Sequence, residues 1–375
     1  MSDRFGSEGS VQTIERVSTE PRVSDRPADL AWPCEATYYD LPVIKRSVWS
    51  NDIPAYFYSG GVAGSCMILS AAVQLAGRAD LRELERRGRW IALLGAIASS
   101  GFLIHDLGRP SRFLFMLRVF RPSSPMNIGS WILAGFGGLA TAAALLPGTR
   151  LADRAAVGAG VLGIPLCGYT GVLLANTVIP VWRSGRRILP LLFMASSAAS
   201  GASLLEMMPG GEAEQTAVRR FAILGKAGEA ALAYAYQQAA GRVREVGKPL
   251  HEGFSGALWG AGEILGAVAL GLSICSPGHR RVRRAAGIAG TLAALALRFS
   301  LRYAGRRSAE NPRATVGSRS RGAGSAPLRY RRGSETRSGA SGGDMQEEIE
   351  VTAHDDVRGQ ADLAGRADAF GDVPV

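Results

Sequence analysis

The sequence predicts an all-α integral membrane protein of about eight transmembrane helices, arranged as two four-helix bundles with disordered termini. Three observations carry that prediction. Uncharged apolar runs recur between residues 54 and 304, and each approaches the ~20 residues a helix needs to cross hydrocarbon. The 47% hydrophobic content and mean hydropathy of +0.08 blend these runs with polar, charged ends. Small residues repeat at four-residue spacing, as at Gly60 and Gly64, Gly256 and Gly260, and Gly262 and Gly266. Such spacing lets helix backbones approach closely where lipid gives no hydrophobic drive for packing.

Residues 1–50 are rich in Ser, Arg, Glu, Asp and Pro and contain no apolar h-region. They read as a polar, mostly disordered segment without a cleavable signal, settling near Trp32 to Trp49 at the membrane surface. Insertion is then left to the first span. The membrane domain covers 51–307, with candidate spans at about 54–77, 89–107, 127–147, 155–178, 188–208, 219–239, 255–276 and 284–304. From 308 to 375 the chain turns Gly-, Ser- and Arg-rich and then acidic, with no apolar periodicity, and reads as a disordered low-complexity tail.

The stretch between the second and third spans, DLGRPSRFLFMLRVFRPSSPMNIGSW, is the most ordered in its punctuation. Asp106 ends one apolar run, and Gly108 with Pro110 stops the helix. Arg112 to Phe120 alternates basic with aromatic or aliphatic residues, as an interfacial helix does. Ser124 followed by Pro125 supplies an N-cap and a first-turn proline for the next helix. The loop thereby presents Asp106, Arg109, Arg112, Arg118 and Arg121 at a membrane surface.

The net charge of +11 comes largely from arginines in short loops and the tail. Arginines beside apolar spans mark membrane topology, so the expected surroundings are a lipid bilayer and no nucleic acid is expected as a partner. An even number of spans puts both termini on one side, and a modest Lys and Arg excess there favours the cytoplasm. The opposite loops, Arg82 to Arg89 and Arg280 to Arg284, are basic too. Cys34, Cys66, Cys167 and Cys275 form no CxxC pair, so no iron–sulfur cluster is expected in this chain. A membrane b-type haem needs two histidines at depth; only His105 sits at a span end, which argues against haem.

Charged groups inside apolar spans are costly and call for an explanation. They are His105 and Asp106, Glu206, Lys226 and Glu229, Glu263, and Arg298. Lys226 and Glu229 are three apart on one helix face and can neutralise each other. They form either a packing ion pair or, with Glu263, a proton path. Glu263 has no local partner and reaches either Lys226 or Arg298 across helices, or serves as a proton step.

DLGRPSRF, SSPMNIGSW, YTGVLLANTVIPVW (Tyr169 to Trp182) and the glycine-rich YFYSGGVAGS (Tyr56 to Ser65) resemble, in order, signature blocks of the NrfD/polysulfide reductase membrane subunits. The resemblance covers roughly residues 51 to 315. It implies the membrane anchor of a multisubunit oxidoreductase in a prokaryotic inner membrane, exchanging electrons and protons with menaquinone or ubiquinone. The implied partners are a 4Fe–4S ferredoxin-type subunit and a catalytic or multihaem subunit. By the same resemblance the quinone site takes in Asp52, Tyr56, Arg109 and Tyr169, with His105 and Asp106 as proton acceptors. Some relatives carry histidine where Tyr56 aligns; tyrosine hydrogen-bonds a quinone but accepts protons poorly at neutral pH. Asp106 otherwise closes its loop against Arg109 or Arg112, and Tyr169 otherwise makes an interhelical hydrogen bond. Asn176 and Trp182 read as a helix-end and an interface anchor. The rival readings are an ion-translocating subunit and a purely structural anchor.

Overall fold

The computed structural model describes residues 44–45, 49–108, 115–275, 279–312 and 314–315. The expectations for residues 1–43, for the tail beyond 315, and for Cys34, Arg109 and Arg112 lie outside the described residues. Among those described, the secondary structure is helical: α1 (Asp52–Leu75), α2 (Arg82–Asp106), α3 (Pro125–Leu145), α4 (Arg150–Ala175), α5 (Pro180–Ser184), α6 (Leu189–Glu206), α7 (Glu212–Gly241), α8 (Arg244–His251), α9 (Gly253–Cys275) and α10 (Arg280–Glu310). Seven of the long helices are apolar enough to cross a bilayer, and α7 is the long one that is not. Lys226, Glu229, Gln237 and Gln238 dilute its apolar stretch. The chain is therefore an all-α, multi-pass integral membrane protein in which the sixth candidate span, α7, carries Lys226 and Glu229 on its buried face and leaves Leu224 and Tyr234 exposed on the other.

Local chemistry sets the helix ends. Gly108 takes a positive φ of 68°, and its N–H returns to the His105 carbonyl (3.1 Å), closing α2 where the sequence placed its stop. Ser124 is the N-cap of α3 with Pro125 in the first turn. The interfacial helix expected over Arg112 to Phe120 is not continuous in its described part. Residues 117 to 121 turn instead, because the Asn127 side chain captures backbone groups there. It donates to the carbonyls of Met116 (2.6 Å) and Val119 (3.0 Å) and accepts from the Arg121 N–H (2.7 Å).

α1 to α4 pack as one group and α6, α7, α9 and α10 as a second, with α6 against both α1 and α4. Where α1 crosses α4 the backbones nearly touch. A Cβ added at Gly64 would sit 2.9 Å from the Gly163 carbonyl oxygen, and one at Gly163 2.8 Å from that of Gly64. This is the close approach the glycine spacing predicted. Gly260 differs, since an added Cβ there meets nothing. Trp182 is a further correction. It is fully buried rather than interfacial, stacks on Trp49 at 5.5 Å and donates its indole N–H to the Leu301 carbonyl (2.9 Å). An N–H so satisfied can sit in a dry interior without penalty. α10 continues to Glu310, past the change of composition at 308, and Ser308 is buried where its hydroxyl accepts from the Val181 N–H.

Candidate functional site

Residues at the start of α1 and the end of α2 meet at one end of the bundle. His105 Nδ1 lies 2.8 Å from Asp52 Oδ2. The Ser50 hydroxyl donates to the same oxygen (2.8 Å) and accepts from the Asp52 N–H (3.1 Å). The Ser50 N–H donates to Asp106 Oδ1 (3.0 Å). Ser50 thus ties Asp52 to Asp106, and it was missed in the sequence although Ser50-Asn51-Asp52 is a helix-start pattern. The His105 side chain is 79% exposed, so its free ring face is open for proton exchange. Asp106 is held by the Ser50 backbone. Its proposed alternatives, Arg109 and Arg112, lie outside the described residues.

One turn into α1, on the same face as Asp52, Tyr56 is buried and its ring contacts Phe57. Tyr169, on α4, is also buried and near enough to Tyr56 to interact electrostatically. The Tyr169 ring rests against α3 at Gly129, where an added Cβ would fall within the ring itself. Two of the signature blocks therefore meet in space, SSPMNIGSW supplying the seat and YTG the ring. Gly171 of the YTG block lets α6 press on α4, since its Cβ would lie 2.6 Å from the Leu189 carbonyl oxygen. Among the described residues, neither tyrosine hydroxyl has a hydrogen-bond partner. The interhelical hydrogen bond considered for Tyr169 is therefore absent, and both hydroxyls are spare.

A second polar cluster lies deeper in the other helix group. Lys226 and Glu206 are 1% and 2% exposed, with Nζ 2.6 Å from Oε2. Lys226 also donates to Ser273 Oγ (2.8 Å), and the Ser273 hydroxyl faces Glu206 Oε1 (2.7 Å) and the Ala269 carbonyl (2.8 Å). The partner of Lys226 is thus Glu206, across helices, and not Glu229 on its own helix. Glu229 is buried with Oε1 unpartnered. Arg298, 1% exposed, donates to Ser196 Oγ (2.8 Å) and the Ala294 carbonyl (3.0 Å) and lies over the rings of Tyr58 and Phe193. Its Nε and Nη2 have no partner. Glu263 stands apart from this cluster. It is exposed on α9 and accepts from Gln237 Nε2 (2.5 Å), so it reaches neither Lys226 nor Arg298.

Cys66 and Cys167 are buried and free, whereas Cys275 is exposed at the end of α9. Among the described residues no group of three or more His, Cys, Asp or Glu gathers to hold a metal ion. Comparison with curated proteins finds no significant match. The family model described as polysulfide reductase, NrfD type, matches residues 36–310. That range takes in α1 to α10, the Asp52–His105 pair, both tyrosines and the Gly129 seat, and the chain belongs to the NrfD-type polysulfide reductase family.

Proposed function

We propose that this chain is the membrane subunit through which an oxidoreductase complex exchanges electrons and protons with the quinone pool. What supports the reading is the pair of unpartnered hydroxyls on neighbouring Tyr56 and Tyr169, Tyr56 standing one turn along α1 from the Asp52 that holds His105. The donor set suits a quinone headgroup. Two phenols can donate to its carbonyl oxygens, and a solvent-facing imidazole backed by a carboxylate can take or return a proton. A bound quinol supplies two electrons and two protons. Tyr56 and Tyr169 orient the headgroup oxygens. His105 holds the departing proton on its ring, with Asp52 fixing the tautomer and stabilising the imidazolium. Asp106, tethered through Ser50, is a second acceptor at the surface, and Arg109 neighbours it in sequence.

By the same reading the electrons pass to or from a 4Fe–4S ferredoxin-type subunit and a catalytic or multihaem subunit, in the inner membrane of a prokaryote. The basic loop around Arg118 and Arg121 is the natural docking surface at that end. A titration of the purified chain with a quinol analogue tests the site: saturable binding in wild type, weakened in Tyr169→Phe and Asp52→Asn, is expected. Absence of binding in folded protein, or unchanged affinity in both variants, would overturn it. Recovery of the chain without any iron–sulfur partner under mild detergent would count against the assembly.

A second activity, proton passage through the bundle, is favoured by one observation. Lys226, Glu206, Ser273, Glu229 and Arg298 form a buried polar file along α6, whose serines 196, 197, 200 and 203 are themselves buried. Buried ionisable groups at membrane depth mark ion or proton routes. Quinol-driven acidification in proteoliposomes, abolished by Glu229→Gln while quinol oxidation persists, is the expected result.

A further inference from the structure

At the ends of α1 and α2 remote from the Asp52–His105 pair, a cavity of about 630 Å³ opens between α1, α2, α3 and the start of α4. Gln74 on its wall lies 22 residues along α1 from Asp52, roughly 33 Å. Four arginines line it, Arg78, Arg82, Arg86 and Arg89, against two acids, Glu85 and Asp153. The acids are already committed. Arg89, 7% exposed, is paired with Glu85 and with Asp153 (3.0 Å) and also donates to Gln74 Oε1 (3.0 Å). Even so, its buried Nε has no partner. Arg78 and Arg86 are held by Asp80 and Glu83 in exposed pairs, and those two acids do not line the cavity. Exposed pairs of this kind are weak and exchange readily. Arg82 has neither an ion pair nor a hydrogen bond among the described residues. The cavity is thus left with cationic capacity that the chain's own acids do not use.

Its depth points to the kind of anion. α1 ends at Leu75, α2 begins at Arg82 and α3 ends at Leu145, so the cavity sits at the level where helices leave hydrocarbon. Trp90, 41% exposed, lines it and is suited to the headgroup layer. Val73, Ala143 and Ala144 give its deeper wall an apolar character. Arginine forks match phosphate oxygens in pairs.

We propose that this cavity is a binding site for a phosphate-bearing anion, with Arg82 as its principal ligand and Arg78 and Arg86 turning toward the anion from their surface pairs. The source of the phosphate is either the headgroup of an anionic phospholipid or free inorganic phosphate. The site is independent of the quinone reading and survives its failure.

The test uses the full chain, purified in detergent and stripped of lipid, then offered phosphatidylglycerol, phosphatidylcholine or inorganic phosphate in separate titrations. Native mass spectrometry counts bound phospholipid after detergent washing, and phosphorus NMR follows inorganic phosphate. Wild type is expected to bind phosphatidylglycerol saturably and more tightly than phosphatidylcholine. Arg82→Gln should lose about fivefold in affinity, the effect of one surface arginine on an anionic headgroup, and Arg82→Lys, which keeps the charge but not the fork, should restore it in part. Binding of inorganic phosphate with the same dependence on Arg82, without retention of phosphatidylglycerol, would assign the phosphate to solution. The proposal is overturned when neither probe binds saturably, or when Arg82→Gln binds both as wild type does. Arg82 is exposed and makes no bond to break, so the variant should fold, and an unchanged melting curve verifies that.

Discussion

Replacing Lys226 with methionine is the most informative single perturbation of the bundle. Its ammonium is 1% exposed and holds Glu206 at 2.6 Å and Ser273 at 2.8 Å. Methionine fills a similar volume but leaves the Glu206 carboxylate, itself 2% exposed, with a serine hydroxyl as its remaining side-chain partner among the described residues. Breaking one side of a buried pair costs about 3–5 kcal/mol, because the surviving charge loses its compensation and cannot regain water. Removing both charges together, in Lys226→Met with Glu206→Leu, should cost much less, since neither group is then stranded. Titration with dodecyl sulfate in mixed micelles, following helix content, reads these differences as shifts in unfolding free energy. The reasoning is refuted if Lys226→Met costs less than about 1 kcal/mol, or if the double variant is no more stable than the single. By contrast Glu229→Gln, which removes charge from a carboxyl with an unpartnered oxygen, should be tolerated to within about 1 kcal/mol.

Other substitutions separate packing from chemistry. Tyr169→Phe deletes a hydroxyl without a partner, so stability should change by less than about 0.5 kcal/mol while quinol-analogue affinity drops by about fivefold to tenfold, the worth of one hydrogen bond. Gly129→Ala pushes a methyl into the Tyr169 ring, and should cost about 1–3 kcal/mol in the same detergent titration as well as weakening the analogue. Trp182→Phe removes the indole N–H and its bond to the Leu301 carbonyl, which keeps its own place in the α10 ladder, so the expected loss is that of one hydrogen bond, about 0.5–1.5 kcal/mol measured by unfolding. Glu263→Gln, on an exposed carboxylate bonded to Gln237, should leave both stability and quinol-driven proton release unchanged, and a loss of proton release would restore it to the path.

The features that were legible in the sequence are those written in neighbouring residues. Gly108 stops α2 with the left-handed backbone that glycine tolerates, and Ser124-Pro125 opens α3, because caps and stops are decided within a few residues of where they act. The small-residue spacing pointed to a tight crossing but did not name the partner. Gly64 found Gly163 on α4, which only tertiary packing could select. The pairing of Lys226 was misread for a related reason. Glu229, three residues on, lies on the same helix face, while Glu206 is 20 residues back on another helix, and a one-dimensional reading weights the nearer charge. Glu263 does not make the expected cross-helix pair with Lys226 or Arg298, because exposure is a property of the neighbours. α9 is an outer helix, with 17% of its apolar window buried, so its middle residues need not face the interior. The Asp52–His105 contact joins residues 53 apart and was implied only by the family blocks, which carry information that spacing alone does not.

The start of α1 is held by the far end of the chain, and that has a consequence for synthesis. Arg302, on α10, donates through Nε and Nη2 to the Trp49 carbonyl, and the Tyr303 hydroxyl lies 3.2 Å from Asn51 Oδ1. These contacts bridge 253 and 252 residues, so the ribosome delivers one half of the clasp long before the other. Helices inserted early must wait, with Trp49 and Asn51 unfastened on either side of Ser50, until α10 arrives to clasp them. A nascent or truncated chain therefore holds its signature motifs without a settled geometry at their membrane end, and maturation of the site coincides with completion of the bundle.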